Sequence, residues 1–171
     1  MPKIKLDAID LKILAEIQDD AALSNVDLAQ RVGLSPSPCL SRVKALEAAG
    51  VILRRVTLLD SAALGASVSV FVQVTLEQQI ESRLEAFEAA MRHFPEVMEC
   101  YLMTGDSDYL LRVVVSDVFA FQKFIVDKLS KTHGVANIRS SFALKQVKYK
   151  TALPLDHLGA AKVKASGRGS A

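Results

Sequence analysis

The stretch from Val32 to Ile52, "VGLSPSPCLSRVKALEAAGVI", decides how the first half of the chain folds. Pro36 drives Ser35 out of helical geometry, because the proline ring clashes with the backbone before it. Ser37 is then placed to cap a helix that starts at Pro38, where a missing amide proton has no helical partner to lose. Gly50 ends that helix. Leu40, Val43, Leu46 and Glu47 are expected along one side, and Pro38, Ser41, Arg42 and Ala45, flanked by Ser37 and Lys44, along the other. The second side is small, polar and cationic, which suits a helix that has to enter a major groove about 12 Å wide.

Upstream, "SNVD" opens another helix at Ser24, with Asp27 where a longer Glu would complete a capping box. Leu28, Ala29 and Val32 face inward and Gly33 stops it. A first helix runs from about Asp7 to Asp19, with Leu6, Ile9, Ile13, Leu14 and Ile17 on one stripe. Three short helices in this order predict a helix-turn-helix over about 24–49. The segment "VILRRVTLL" that follows reads as a strand or short wing. From Ser35 to Val56 the charge is basic: Arg42, Lys44, Arg54 and Arg55 stand against the single acid Glu47.

Beyond "LDSAALGAS" the period changes. Val68, Val70, Val72, Val74 and Leu76 alternate with Ser69, Phe71, Gln73 and Thr75, a strand with two different faces. Ile80, Leu84, Phe87, Met91 and Phe94 then mark a helix that Pro95 ends, followed by a strand "VMECYLMT", a turn "GDSD" and a strand "YLLRVVV". Val118, Phe121, Ile125 and Leu129 mark another helix, and a fourth strand begins at "VANIRSSF". The order β-α-β-β-α-β predicts a ferredoxin-like sheet with two helices on one side. The fold class is therefore α+β, a winged helix-turn-helix joined to a ferredoxin-like domain. Boundaries are expected at 1–60, 61–66 for a linker, 67–156, and 157–171 for a flexible basic tail carrying Lys162, Lys164 and Arg168. His93 and His133 are expected at the last turns of the two later helices, against the negative dipole ends.

At 171 residues, 50% apolar and 23% charged, the chain has the composition of a globular protein. No apolar run reaches the ~20 residues of a membrane span, and "MPKIKLDAID" has no apolar stretch of signal-peptide length, so a cytoplasmic protein without a membrane partner is expected. Cys39 and Cys100 fall outside any CxxC or Cys/His spacing, so two reduced thiols are expected and neither a disulfide nor a metal. There is no GxGxxG, GKS/T, HExxH or Ser-His-Asp pattern, and Asp106 with Asp108 makes a poor metal set, so neither an enzyme nor a cofactor is expected. Two other readings compete. A β-α-β-β-α-β sheet also binds RNA, although "YLLRVVV" lacks the stacking aromatics of that use, and the same domain can serve as a stand-alone metabolite sensor.

Through "SNVDLAQRVGLSPSPCLSRVKALEAAGVI" and "GDSDYLL" the chain resembles the leucine-responsive regulatory protein and asparagine-operon regulator (Lrp/AsnC) family of bacterial transcription factors. The match spans roughly residues 4 to 155, and the ending "VANIRSSFALKQVKYKTALPL" looks most like the branch of branched-chain keto-acid dehydrogenase operon activators. The resemblance implies a transcriptional regulator that binds double-stranded operator DNA, answers to a small amino acid, and forms homodimers assembling to a tetramer or octamer. A branched-chain amino acid is the first expectation, with proline or cysteine as alternatives.

On this basis the expected DNA-contacting residues are Ser35, Ser37, Pro38, Ser41, Arg42, Lys44, Ala45, Arg54 and Arg55, with Arg42 reading a base and Lys44, Arg54 and Arg55 neutralising phosphates. An amino-acid ligand needs an acid beside free amides. The resemblance carries that role to Thr104, Gly105, Asp106, Asp108 and Tyr109, with Ser141 and Phe142 added from the fourth strand. Leucine-responsive relatives often have Tyr and Val at the last two positions, so Ser141 and Phe142 depart from a leucine-shaped pocket.

Overall fold

Asp7 starts the first helix with both of its capping partners in place. In the computed structural model, which describes residues 5–158, Asp7 Oδ1 accepts from the amides of Ile9 and Asp10, each at 2.8 Å. Asp10 Oδ2 accepts in return from the Asp7 amide at 3.0 Å. This reciprocal box caps α1, Ala8–Asp19. Helix α2, Asn25–Val32, is capped by Ser24 and ends in Gly33 at φ 76°, a left-handed value that favours glycine. The Asp27 carboxylate meets the Ser24 hydroxyl at 2.6 Å, since the shorter side chain stops there instead of reaching the cap amide.

Helix α3 runs Pro36–Ala48 and starts earlier than expected. Ser35 is the N-cap and Pro36 the first helical residue, so the helix begins two residues before Pro38. Proline fits at both positions, because all of the first-turn amides lack intrahelical acceptors. The Ser35 side chain makes no capping hydrogen bond. The buried line of α3 is Cys39, Val43 and Leu46, while Leu40, expected inside, is exposed. With Ile13, Leu14, Leu28, Ala29 and Val32 these residues form one core. Ile13 has no exposed surface, and burial of such a side chain is worth about 1.5–3 kcal/mol.

No strand forms between 51 and 60. Val51 and Ile52 pack on the helical core, whereas Leu53, Val56, Leu58 and Leu59 are exposed. A strand needs a hydrogen-bonding neighbour, and among the described residues none lies alongside this segment.

The chain divides into two compact units, one made of residues up to 57 together with those from 148 onward, the other of 58–147. By packing, the segment from 148 onward goes with the helical unit, whereas the sequence sets the boundary at 156. Leu155 packs against the helical core, and Leu153 is held to the side chain of Gln18 through its amide at 2.8 Å and its carbonyl at 3.4 Å. The basic tail expected over 157–171 lies outside the described residues from 159 on.

In the second unit the order is β1 Val68–Leu76, α4 Glu81–His93, β2 Val97–Leu102, β3 Tyr109–Val115, α5 Val118–Asp127 and β4 Val135–Phe142. The four strands form one antiparallel sheet in the order β2-β3-β1-β4, the ferredoxin-like arrangement. Val70, Val72, Val74 and Leu76 face the helices and pack with Leu111, Val113, Phe87, Met91, Phe121 and Phe124. The last expected helix is broken, because α5 ends at Asp127 and Leu129–Lys131 form a 3-10 turn. His93 Nδ1 lies 2.7 Å from the Ala89 carbonyl in the last turn of α4, as the dipole argument expects, but His133 falls beyond the 3-10 turn.

Candidate DNA-binding and effector sites

A helical rotation of about 100° per residue places Arg42 roughly 70° from the buried line of α3, on a flank and not on the outward face. The outward face carries Ser37, Ser41, Lys44 and Ala45, all exposed, with Ser35 and Pro38 at its start. Arg42 Nη1 instead donates to Asp7 Oδ2 and Asp10 Oδ1, both at 2.7 Å. The oxygens left over from the α1 capping box thus hold the flank of α3, so the expected base-reading side chain is engaged inside the unit. Hydrogen bonds from the Asp10 amide and from Arg42 lower the Asp7 carboxyl from 3.8 to about 2, and the two carboxylates raise the Arg42 guanidinium. "DAID" carries the cap-and-third-residue spacing of such a box, a signal legible in the sequence; the pairing with Arg42, 35 residues on, is not.

A second tie sets the helix-turn-helix. Asn25 donates its side-chain amide to the Pro36 carbonyl at 2.8 Å, which joins the first turns of α2 and α3. Arg55 pairs with Glu47 at 3.2 Å. Among the described residues, Lys44 and Arg54 make no ion pair, which leaves both cations available to a phosphate.

The expected effector residues do not come together in one chain. Thr104, Gly105 and Asp106 form the exposed tip of the β2–β3 hairpin, with Gly105 at φ 123°. Asp108 is buried and accepts from the Leu76 amide at 2.7 Å and from Gln79 Nε2 at 2.6 Å, so it pins the hairpin to the end of β1. Tyr109 is buried as well; its hydroxyl donates to Glu88 at 3.1 Å and its ring lies 4.6 Å from that of Phe87. Burial, and then the hydrogen bond to Glu88, push the Tyr109 phenol up.

Phe142 pairs opposite Val70 and therefore faces the helices, where its ring meets Phe121 at 5.3 Å. This register separates it from Phe71 and Tyr101, which lie on the open face. Ser141, opposite Phe71, does point to the open face. It sits about 10 Å along β1 from the hairpin end, at 3.3 Å per residue, and on the other side of that strand.

Sequence reasoning did not single out a cavity of about 380 Å³ between α4 and β2. Met91, Val97, Met98 and Leu102 supply apolar wall, Glu88, Arg92 and Glu99 supply charge, and Cys100 and Tyr109 complete it. Burial first, and then Glu88, push the Cys100 thiol up to about 11, which keeps it protonated. Cys39 is raised by burial. Cys39 is a buried apolar thiol as expected, whereas Cys100 is exposed on β2.

The comparisons with known proteins agree with this architecture. Residues 6–52 match the winged helix-turn-helix DNA-binding family and residues 69–153 the Lrp/AsnC ligand binding domain. The chain is 49% identical to the Bkd operon transcriptional regulator of Pseudomonas aeruginosa, over 88% of this chain and 99% of that protein. It is 43% identical to the leucine-responsive regulatory protein of Rhizobium meliloti, over 85% and 94%. A transcriptional regulator from Neisseria meningitidis in complex with L-Met superposes with a TM-score of 0.86 at 42% identity, covering 90% of this chain and 99% of that one. An AsnC family transcriptional regulator from Agrobacterium tumefaciens gives 0.84 at 43%, covering 89% and 99%. These relatives are regulators and not enzymes. With a capped helix-turn-helix whose outward face is small and basic, and a ferredoxin-like ligand-binding domain after it, the chain belongs to the Lrp/AsnC family of DNA-binding transcriptional regulators.

Proposed function

We propose that α3 is the recognition helix and that it reads operator DNA through Ser37, Ser41 and Ala45, with Ser35 and Pro38 at the groove edge and Lys44 and Arg54 on phosphates. The observation that carries this reading is the exposure of that face while Arg42 is held by Asp7 and Asp10. Arg42 is then a positioning residue, and Arg55 a weaker phosphate contact because it already pairs with Glu47. Removal of the Lys44 charge tests the assignment. Lys44→Gln should flatten the dependence of log affinity on log salt by about 0.9 on operator and scrambled duplex alike. An unchanged slope with altered sequence preference would show that Lys44 reads bases.

The regulator answers to a small apolar amino acid in this reading. Support comes from the ligand-binding domain and from the L-Met bound to the Neisseria relative. Leucine, isoleucine, valine and methionine come first, proline and cysteine after them. The hairpin tip from Thr104 to Asp106 offers free amides and a carboxylate, and a second copy of the chain would supply the missing wall. One observation favours a second seat. The cavity beside β2, a hollow of about 380 Å³ with mixed polar and apolar walls, sets Arg92, for a carboxylate, beside Glu88, for an ammonium, the two forming an ion pair at 3.3 Å that a ligand would have to open. Titration calorimetry with single amino acids decides whether any of them binds, and a heatless titration with all six would refute the effector reading.

The open sheet face supports self-association. Phe71 and Tyr101 are 39% and 52% exposed there, next to Leu110 and Val114. A second copy covering this stripe removes apolar surface from water and sets two helix-turn-helix units on repeated half-sites. Phe71→Asp should then lower the mass seen by light scattering. No helix among the described residues is long and apolar enough to cross a membrane, and a DNA partner implies work in the cytoplasm.

A further inference from the structure

Given an amino-acid seat in the cavity beside β2, on which this rests, we propose that Glu88 links that cavity to the neck of the β2–β3 hairpin, so that a seated amino acid changes how firmly the hairpin is held. Glu88 stands between the two places with one oxygen turned to each. Its Oε2 accepts from Arg92 at 3.3 Å on the cavity side, and its Oε1 accepts from the Tyr109 hydroxyl at 3.1 Å on the hairpin side.

Tyr109 opens β3, and its partner across the hairpin is Leu102, the end of β2. Both line the cavity, so a ligand there lies against the neck. The Tyr109 ring is buried with its centroid 4.6 Å from that of Phe87, and in such close packing a displaced hydroxyl carries the ring and the strand start with it. Next to it, the Asp108 amide donates to the Val74 carbonyl at 2.9 Å, and the Asp108 carbonyl accepts from the Met103 amide at 2.8 Å. These two bonds close the neck. Beyond them Thr104, Gly105 and Asp106 form the exposed tip.

An amino acid opens this arrangement from the cavity side. The Arg92 side chain is 72% exposed, so solvent already screens its pair with Glu88 and separation costs little. The ligand carboxylate takes Arg92 and the ammonium takes Glu88. A carboxylate is rigid and planar, so turning one oxygen toward the ammonium displaces the other, and the Tyr109 hydroxyl loses its acceptor. A buried hydroxyl without an acceptor is costly, and the neck loosens as that side chain moves to find another. The amino acid shifts the hairpin only by as much as it binds the loosened state better.

The test reads hydrogen exchange over residues 100–110 in the full chain. The probe is L-methionine, the amino acid bound to the Neisseria relative, followed by leucine, isoleucine, valine, proline and cysteine, each at a concentration that calorimetry shows to saturate. Exchange at the neck should rise roughly 2- to 10-fold with ligand, the factor that one hydrogen bond is worth. Tyr109→Phe removes the hydroxyl and keeps the ring, so its neck should exchange near the liganded rate without ligand, and ligand should add nothing. Glu88→Gln keeps an acceptor for Tyr109 and loses the charge that draws the ammonium. Its neck should stay slow at the concentration that saturates the native chain. Unchanged or slower exchange in the liganded native chain would overturn the link, and so would a rise that persists in both variants; either leaves the effector reading standing. Binding lost in Asp106→Ala but kept in Arg92→Ala would put the ligand at the tip and overturn the link as well. No heat with any of the six amino acids would sink the effector reading and the link together.

Discussion

Arg42 reaches back from the flank of α3 to the cap of α1, with Nη1 2.7 Å from Asp7 Oδ2. The same nitrogen is 2.7 Å from Asp10, so one guanidinium bridges two carboxylates that already serve the first turn of α1. The contact fixes α3 against the helix behind it. Arg42→Ala should lower the thermal stability of the helix-turn-helix unit slightly, as solvent screens a partly exposed pair. Operator affinity should fall evenly across single-base operator variants. A double-mutant cycle with Asp7→Asn, read by thermal unfolding, should give non-additive effects, and strict additivity would mean the two side chains do not support each other.

The capping box also sets an acid limit. Asp7 titrates at about 2 in the folded chain against 3.8 without its partners, so its stabilising charge is fully present above about pH 4 and is lost as pH falls through 2. Asparagine keeps the cap acceptor but removes the charge. The stability difference between the native chain and Asp7→Asn should accordingly be constant at neutral pH and shrink between pH 4 and pH 2. A difference independent of pH over that window would assign Asp7 a purely uncharged capping role.

Asp106 and Asp108 stand two residues apart and should behave as opposites. Asp108→Ala strands the buried Leu76 amide and should cost about 1–3 kcal/mol in denaturant unfolding, whereas Asp108→Asn, which still offers an oxygen, should cost less. Asp106 is at the exposed tip, so Asp106→Ala should leave the unfolding curve within about 0.5 kcal/mol of the native one. Equal losses for the two alanine variants would contradict this division.

Two seats compete for the amino acid, and calorimetry separates them. If the hairpin tip holds it, Asp106→Ala should weaken binding and Arg92→Ala should not. If the cavity beside β2 holds it, Arg92→Ala should weaken binding, by roughly tenfold for the loss of one charge-assisted hydrogen bond, and Asp106→Ala should be silent.

Most of the architecture was legible because it rests on local rules. Ser24, Gly33 and Gly50 punctuate the helices wherever they occur, and the alternation from Val68 to Leu76 shows which face of β1 is buried. The failures have a common origin. Pro36 or Pro38 could each begin a helix by local chemistry, and the start falls at Pro36. Phe142 follows an apolar alternation that reads equally well in either phase, and only its pairing with Val70 turns it toward Phe121. Asp108 and Tyr109 carry polar atoms that suit a ligand as well as they suit Leu76, Gln79 and Glu88.

Periodicity, caps and turns, which act over a few residues, were enough to specify a helix-turn-helix followed by a ferredoxin-like sheet, and with them the family. Partners across the chain were decided by tertiary packing alone: Arg42 with Asp7 and Asp10, Asp108 with Leu76 and Gln79, and Leu153 with Gln18, 135 residues away. A cation or an acid is equally soluble on any exposed face. What commits it to structure or leaves it free for DNA or a ligand is the group that folding brings within about 3 Å of it.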